Sequence, residues 1–375
     1  MAFRQRALEG LVAVQSAFDG AFSGRRVLVT GHTGFKGSWL SRWLLELGAD
    51  VTGYALEPDT TPSLFTDLAL ARSMDSRVGD VRDAGRIAAL VAETRPELVL
   101  HLAAQPLVRR SYAQPAYTFE VNVQGTVNLL EAVRACGETQ VLVNVTTDKV
   151  YANPETGEPF DEEKPLGGRD PYSASKAASE IVTASYRASF FSSEGSTAVA
   201  TARAGNVIGG GDWAQDRLVP DCARALSSGT PVLVRNPLSI RPWQHVLEPL
   251  SGYLHLTASL LNDRSLAGPF NFGPDQGAAR TVGEVVERLV AAWGAGSWHV
   301  PESEAQPHEA AQLRLDTRKA ERVLGWRPVW GLDETIERTA AWYRAYSAGH
   351  DAAGLVEADF EAYVAAARSA AAPWA

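Results

Sequence analysis

Apolar residues along this chain fall into short, nearly continuous runs, separated by stretches with helical spacing. Val27 to Thr30 is one such run. After it, Trp39, Leu40, Trp43, Leu44 and Leu47 recur three and four apart, the spacing of one helix face. Gly48 closes that helix, and Val51 to Ala55 starts a second strand. The alternation continues with a strand in "SRVGDV" ending near Asp80, a helix to Glu93 and a strand in "ELVLHLAAQ". A helix in "TFEVNVQGTVNLLEAVRACG", a strand in "TQVLVNVTTDK", a helix in "SASKAASEIVTASYRASFF" and a strand in "STAVATARAGNVIG" follow. Strands that are apolar throughout are covered on both faces, so the pattern predicts an α/β fold with a doubly wound parallel sheet.

Past Gly209 the runs shorten. "PVLVRNPLSIRPWQHV" reads as a short extended pair, "GPFNFGP" as a short strand and turn, and "TVGEVVERLVAAWG" and "DETIERTAAWYRAY" as helices. The expected division is a dinucleotide-binding domain over 22–206 plus about 243–273, and a smaller mixed α/β lobe over about 207–242 plus 274–348. Residues 1–21 form an N-terminal extension, and the alanine-rich tail, 349–375, reads as helical or frayed.

Composition narrows the function. Of 375 residues, 45% are hydrophobic and 21% charged, enough for an ordinary core, and the net charge is −9. With no basic run, a nucleic-acid or anionic-membrane surface is not expected. The two cysteines, Cys136 and Cys222, lie far apart and show no metal-type spacing, which suits a reducing compartment; no metal is expected. No apolar run approaches membrane-spanning length and the first residues lack a signal-peptide core, so the expected location is the cytoplasm.

"GHTGFKG" places Gly31, Gly34 and Gly37 between a strand and a helix. Glycines there let a pyrophosphate approach the backbone, and the helix N-terminus favours its charge. Glu57 stands about 20 residues past the last glycine, where a ribose-binding acid belongs, and equally reads as a solvated loop charge. His32 and Lys36 lie in the turn, as phosphate contacts or as surface groups. Asp80, followed by Val81, ends a strand and suits an adenine amino group or a helix N-cap. Ala103 and Ala104 in "HLAAQ" allow close passage of a cofactor or close helix packing. Tyr172 and Lys176 are four apart, hence on one helix face. An ammonium beside a phenol favours the phenolate; moving it from about 10 to neutrality takes roughly 4 kcal/mol, which an ammonium and a cationic nicotinamide together supply. Thr147 ends the adjacent strand, and Asp148 and Lys149 follow it directly.

This constellation resembles the extended short-chain dehydrogenase/reductase family, with its Rossmann-type sheet. Within that family "GHTGFKGSW", "TTDKVY", "LGGRDPYSASKAASE", "RAGNVIGGGDWAQDRLVP" and "RNPLSIRPWQHVLEPLSGY" are similar to the CDP-glucose 4,6-dehydratases, over nearly the whole chain after the first twenty residues. The loop "YANPETGEPFDEEKPL" departs from that pattern, lacking an aromatic and arginine-rich segment.

The resemblance implies a three-stage reaction on CDP-glucose: oxidation at C4 by NAD, loss of water across C5 and C6, and return of hydride to C6. A C5 proton becomes acidic only beside a C4 ketone, so oxidation has to come first, and net redox is zero. The resemblance makes Thr147, Tyr172 and Lys176 the oxidation group and Asp148 the acid for the C6 hydroxyl. Lys149 is the C5 base or a sugar-positioning group. It assigns the cofactor to Gly31, His32, Gly34, Phe35, Lys36, Gly37, Glu57, Asp80, Val81, Leu102, Ala103, Ala104, Tyr172 and Lys176. The substrate falls to Gln105, Asn206, Arg217, Leu218 and Arg241, arginine suiting a diphosphate because its fork offers paired donors. A homodimer, or a tetramer, is also implied, pairing through helices near Tyr117–Cys136 and Ser173–Phe191. Other readings on the same fold are a UDP-sugar 4-epimerase, another nucleotide-sugar 4,6-dehydratase, or a non-catalytic NAD(P)-sensing protein.

Overall fold

The structure is a computed structural model that describes residues 14–275, 279–301 and 313–375; the first thirteen residues of the expected N-terminal extension lie outside the described residues. Its centre is a seven-stranded sheet of β1 (Arg26–Thr30), β2 (Asp50–Ala55), β3 (Asp75–Val78), β4 (Leu98–His101), β5 (Val141–Val145), β6 (Ala198–Ala204) and β7 (Pro269–Phe272). The order is β7-β6-β5-β4-β1-β2-β3 and every neighbouring pair is parallel. β4, β5 and β6 are buried at every residue, which is why they read as unbroken apolar runs.

Helices cover both faces: α1 (Phe35–Glu46), α2 (Ala84–Thr94), α3 (Gly125–Cys136), α4 (Pro171–Phe190) and α6 (Leu247–Asn262), with α5 (Leu218–Ser227), α7 (Val282–Trp293) and α8 (Leu332–Ser347) building the lobe. Strand order reverses at β1, which pairs with β2 on one side and β4 on the other. A crevice opens at such a point beyond the carboxyl ends of the strands. Thr30 pairs with His101, and His101 with Asn144, so Gly31, Leu102 and the residues just past Val145 emerge side by side there.

The expected extended pair over 231–246 resolves into short pieces that each pair elsewhere. Val232–Leu233 joins Trp298–His299, Ile240–Arg241 joins Arg280–Thr281, and Gln244–His245 joins Val207–Ile208. Pro237 and Pro242 interrupt the run, each lacking the N–H a hairpin ladder needs. The tail folds: α9 (Ala352–Ser369) buries Val356, Phe360, Tyr363 and Val364. Trp374 stacks on Phe18 at 5.1 Å and meets Trp43 edge-on at 6.0 Å.

Candidate active site

Two cavities meet at the crevice. One, about 380 Å³, runs along the β1–α1 turn and is lined by Gly31, Gly34, Phe35, Lys36, Gly37, Glu57, Asp80, Val81, Leu102, Ala103 and Ala104, ending at Tyr172 and Lys176. The other, about 360 Å³, starts at Thr147, Asp148, Lys149 and Tyr172 and leads away past Asn206, Arg217, Leu218 and Arg241. Phe35, Lys36, Thr146, Tyr172, Asp212 and Arg217 line both.

The glycine turn is tight enough to exclude side chains. A Cβ on Gly37 would lie 2.1 Å from the Gly31 carbonyl oxygen, and one on Gly31, at φ +77°, 2.7 Å from the Ala103 nitrogen. The helix start is thereby pressed against the strand ends, with its N-terminus facing the cavity. Asp80 is engaged by Arg82, which donates side-chain and backbone bonds at 2.7 and 2.9 Å. Burial pushes that carboxyl up, and the Arg82 bonds outweigh it, so it stays below the usual carboxylate range. Glu57 and Asp59 both border the cavity; the sequence reading did not include Asp59.

Two expected contacts are corrected. The His32 side chain borders neither cavity. It is fully buried, its Nε2 is 2.8 Å from the Ser76 hydroxyl, and its ring meets Phe65 edge-on at 5.2 Å. Burial pushes it down to about 4, so it is a neutral packing group behind the turn and not a phosphate-binding cation. Gln105 borders the dinucleotide cavity, not the one holding Asp148. Its amide is occupied in donating to Thr118 and the Leu107 carbonyl while accepting from the Leu107 N–H, which shapes its own loop.

At the junction, the Asp170 side chain caps α4 by accepting from the Ser173 N–H at 2.9 Å, and α4 then carries Tyr172 and Lys176 on one face. Lys176 donates to the Val145 carbonyl at 3.0 Å, tying α4 to the end of β5. Burial lowers its amine to about 8, with Glu180 pulling the other way. Burial pushes the Tyr172 phenol up to about 12, only partly opposed by its bond with Thr147 and by Arg217. The chain's own groups therefore do not bring Tyr172 towards neutrality; the expected shift called on the ammonium and a cationic nicotinamide together. The positive nicotinamide ring would have to supply the rest.

Thr147 begins a short turn that turns Asp148 inward. Asp148 is 2% exposed; its Oδ1 accepts from Thr147 at 3.0 Å, and its Oδ2 has no partner among the described residues. Lys149 lies on the wall shared with a further cavity bordered by Tyr151 to Glu155, the loop that departs from the family pattern. Lys36, expected at a phosphate, extends into both main cavities. Burial, then the Arg217 and Lys176 charges, lower its amine to about 8 against the pull of Asp148 and Asp212. Arg217 pairs with Asp212 at 2.9 Å.

Arg109, Arg235 and Asn236 also line the second cavity and were missed. Arg235 lies 2.6 Å and Arg109 3.9 Å from Asp216. Both arginines had a signal: Arg109 stands in "PLVRRSY" just beyond β4, and Arg235, followed by Asn236, opens "RNPLSIRPWQHV".

A parallel sheet with a glycine turn at its switch point, and a Tyr–Lys pair where two cavities join, define an extended short-chain dehydrogenase/reductase. The chain belongs to the GDP-mannose 4,6 dehydratase family, whose sequence model matches residues 28–339. It is 49% identical to the CDP-glucose 4,6-dehydratase of Salmonella typhimurium over 88% of this chain and 93% of that protein. It is 31% identical to a dTDP-glucose 4,6-dehydratase of Streptomyces griseus, over 85% of this chain and 94% of that one. Among solved structures, a dTDP-glucose 4,6-dehydratase of Streptomyces venezuelae with NAD and TYD bound superposes with a TM-score of 0.74, covering 86% of this chain and 98% of that one at 28% identity. A UDP-glucose 4-epimerase of Stenotrophomonas maltophila with bound NAD gives 0.75, covering 87% and 100% at 25% identity.

Proposed function

We propose that this protein is a CDP-glucose 4,6-dehydratase, converting CDP-glucose to CDP-4-dehydro-6-deoxyglucose and water. The observation that carries the reading is buried Asp148, with half-buried Lys149 next to it in sequence, at the mouth of the Tyr172 site, in the cavity that leads on to Arg217 and Arg241. A 4-epimerase has no use for an added acid and amine there, and a sensing protein has no use for the Tyr172–Lys176 pair. The identity with the Salmonella enzyme supports the choice of nucleotide.

The first cavity fits NAD: Gly31, Gly34 and Gly37 leave room at the helix N-terminus, and Ala103 and Ala104 line the passage to Tyr172. When bound, NAD supplies the acceptor for hydride from C4 and later its donor to C6. Tyr172 takes the proton of the C4 hydroxyl, Thr147 holds that oxygen, and the Lys176 ammonium favours the phenolate. Once C4 is a ketone, Lys149 removes the C5 proton or steadies the sugar while it leaves. Asp148 gives its proton to the C6 hydroxyl, which departs as water. Arg217, Arg241 and Asn206 anchor the diphosphate, with Leu218 against the nucleoside.

A homodimer pairing through the helices near Tyr117–Cys136 and Ser173–Phe191 is part of the proposal, supported by the exposure of Phe119, Ile181 and Phe190 on them. Among the described residues no helix is long and apolar enough to cross a membrane. Free Cys136 and Cys222 support a cytoplasmic location. The test is to incubate the protein with CDP-, UDP-, GDP- and dTDP-glucose and look for a 4-keto-6-deoxy sugar by NMR. Product from CDP-glucose is expected; none from any of the four would overturn the reading.

A further inference from the structure

Tyr253 on α6 is fully buried, and its hydroxyl has no partner among the described residues. Such a group costs stability, because its hydrogen bonds to water are lost and nothing replaces them. Its ring is held edge-on by Phe272 at 5.8 Å, so the hydroxyl's direction is fixed by packing. The Lys36 ammonium, which reaches into both cavities, lies 5.9 Å from the ring centroid. Burial raises the phenol's pKa first, and the Tyr172 and Asp148 charges act in the same direction, so the phenol is within electrostatic reach of both. Asp148 has the matching defect: Oδ1 is bonded to Thr147, while buried Oδ2 is unpaired. That oxygen lies over Gly205, where a side chain would come within 3.1 Å of it.

Resting on the dehydratase reading, we propose that Tyr253 is a positioning residue that acts through Asp148. Its hydroxyl donates, through one bridging water, to the carboxylate that forms when Asp148 protonates the departing C6 hydroxyl. The proton moves from Asp148 to the C6 oxygen, the C6–O bond breaks, water leaves, and the negative charge stays on Asp148. Tyr253 keeps its own proton and shares it with that charge. A donor aimed at charge that develops only in the transition state speeds the step without tightening substrate binding. Lys36, on the ring side of the phenol, adds its field in the same sense.

The test is Tyr253→Phe, which keeps the ring and removes the hydroxyl. If the hydroxyl only fills space, the variant is as stable as the wild type or more so, with unchanged turnover. The proposal expects a Tm unchanged or raised, KM and the rate of NADH appearance within about two-fold of wild type, and kcat lower by about 10- to 100-fold with NADH accumulating, as for loss of a hydrogen bond to a charged group. With CDP-6-deoxy-6-fluoroglucose, whose fluoride leaves without a proton, most of that loss is expected to disappear. Wild-type kcat, an equal loss on the fluoro substrate, or a lowered Tm would each overturn the proposal. Should wild type dehydrate a different nucleotide-glucose, the same comparison is run on that substrate, so failure of the nucleotide assignment is separate from failure of the role of Tyr253.

Discussion

Glu180 sits one helical turn beyond Lys176 and is 3% exposed, as is its partner Arg203. Arg203 donates to both carboxylate oxygens at 3.0 and 2.9 Å, Thr201 donates at 2.7 Å, and Thr146, next to the catalytic threonine, at 2.5 Å. Glu180→Gln leaves the guanidinium buried without a counter-charge, which costs about 3–5 kcal/mol. With an unfolding entropy of about 2.1 cal/mol/K per residue over 375 residues, that lowers Tm by about 4–6 °C. A second effect has a different origin. Burial lowers Lys176 to about 8 and Glu180 holds it up, so without Glu180 the amine loses its proton at lower pH. The alkaline fall in the oxidation step, followed as NADH forming on mixing with substrate, should move to lower pH. Glu180→Gln combined with Arg203→Met removes both buried charges and should recover much of the Tm, yet keep the shifted profile. A Tm change under about 1 °C in the single variant, or an unmoved alkaline limb in both, would refute the reasoning.

Tyr172→Phe should form neither product nor NADH while still binding NAD, measured by equilibrium dialysis; near-normal turnover would remove Tyr172 as the base. Asp148→Asn and Lys149→Met should each form NADH on mixing and then stall, with product slower by about 10²–10⁴-fold. Free C5 deuterium exchange in the Lys149 variant would pass the base role elsewhere. CDP-glucose should lead UDP- and dTDP-glucose in kcat/KM by a wide margin; a preference for either of the others would sink the nucleotide assignment and point to the loop at Tyr151–Leu166. Burial raises Glu248 from 4.5 to about 7, so the folded state binds the extra proton between those values and stability should fall as pH rises through that window. Chemical denaturation of Glu248→Gln should show a flatter pH dependence there.

What could be read from the sequence was what is local. The Tyr172–Lys176 spacing, the glycine turn and the adjacent Thr147, Asp148 and Lys149 are set by helix and strand periodicity, and the structure brings them together. The direction of a side chain leaving an irregular turn is not set that way. His32 and Lys36 stand four apart in one turn, yet one packs into the interior and the other extends through to the substrate side. Gln105 looked available because its partners, Thr118 and Asn122, come from a later helical segment. Arg235 opens a quoted stretch, yet its place at the cavity could not be read, because the strand just before it, Val232–Leu233, pairs with Trp298–His299, far along the chain. Alanine content made the tail ambiguous; Phe360, Tyr363 and Trp374, placed against Trp43, decide that it folds.

The wall shared by the two cavities has a thermodynamic consequence. Phe35, Lys36, Tyr172 and Arg217 border both, so any shift of these side chains that improves one occupant's fit changes the other's. The two binding equilibria then share a coupling free energy, and linkage makes it reciprocal. Whatever factor the nucleotide-sugar contributes to the dissociation constant of the dinucleotide, the dinucleotide must contribute to that of the nucleotide-sugar. Lys36 is one side chain through which that cooperativity should pass, since it borders both cavities and its charge feels both Arg217 and Lys176.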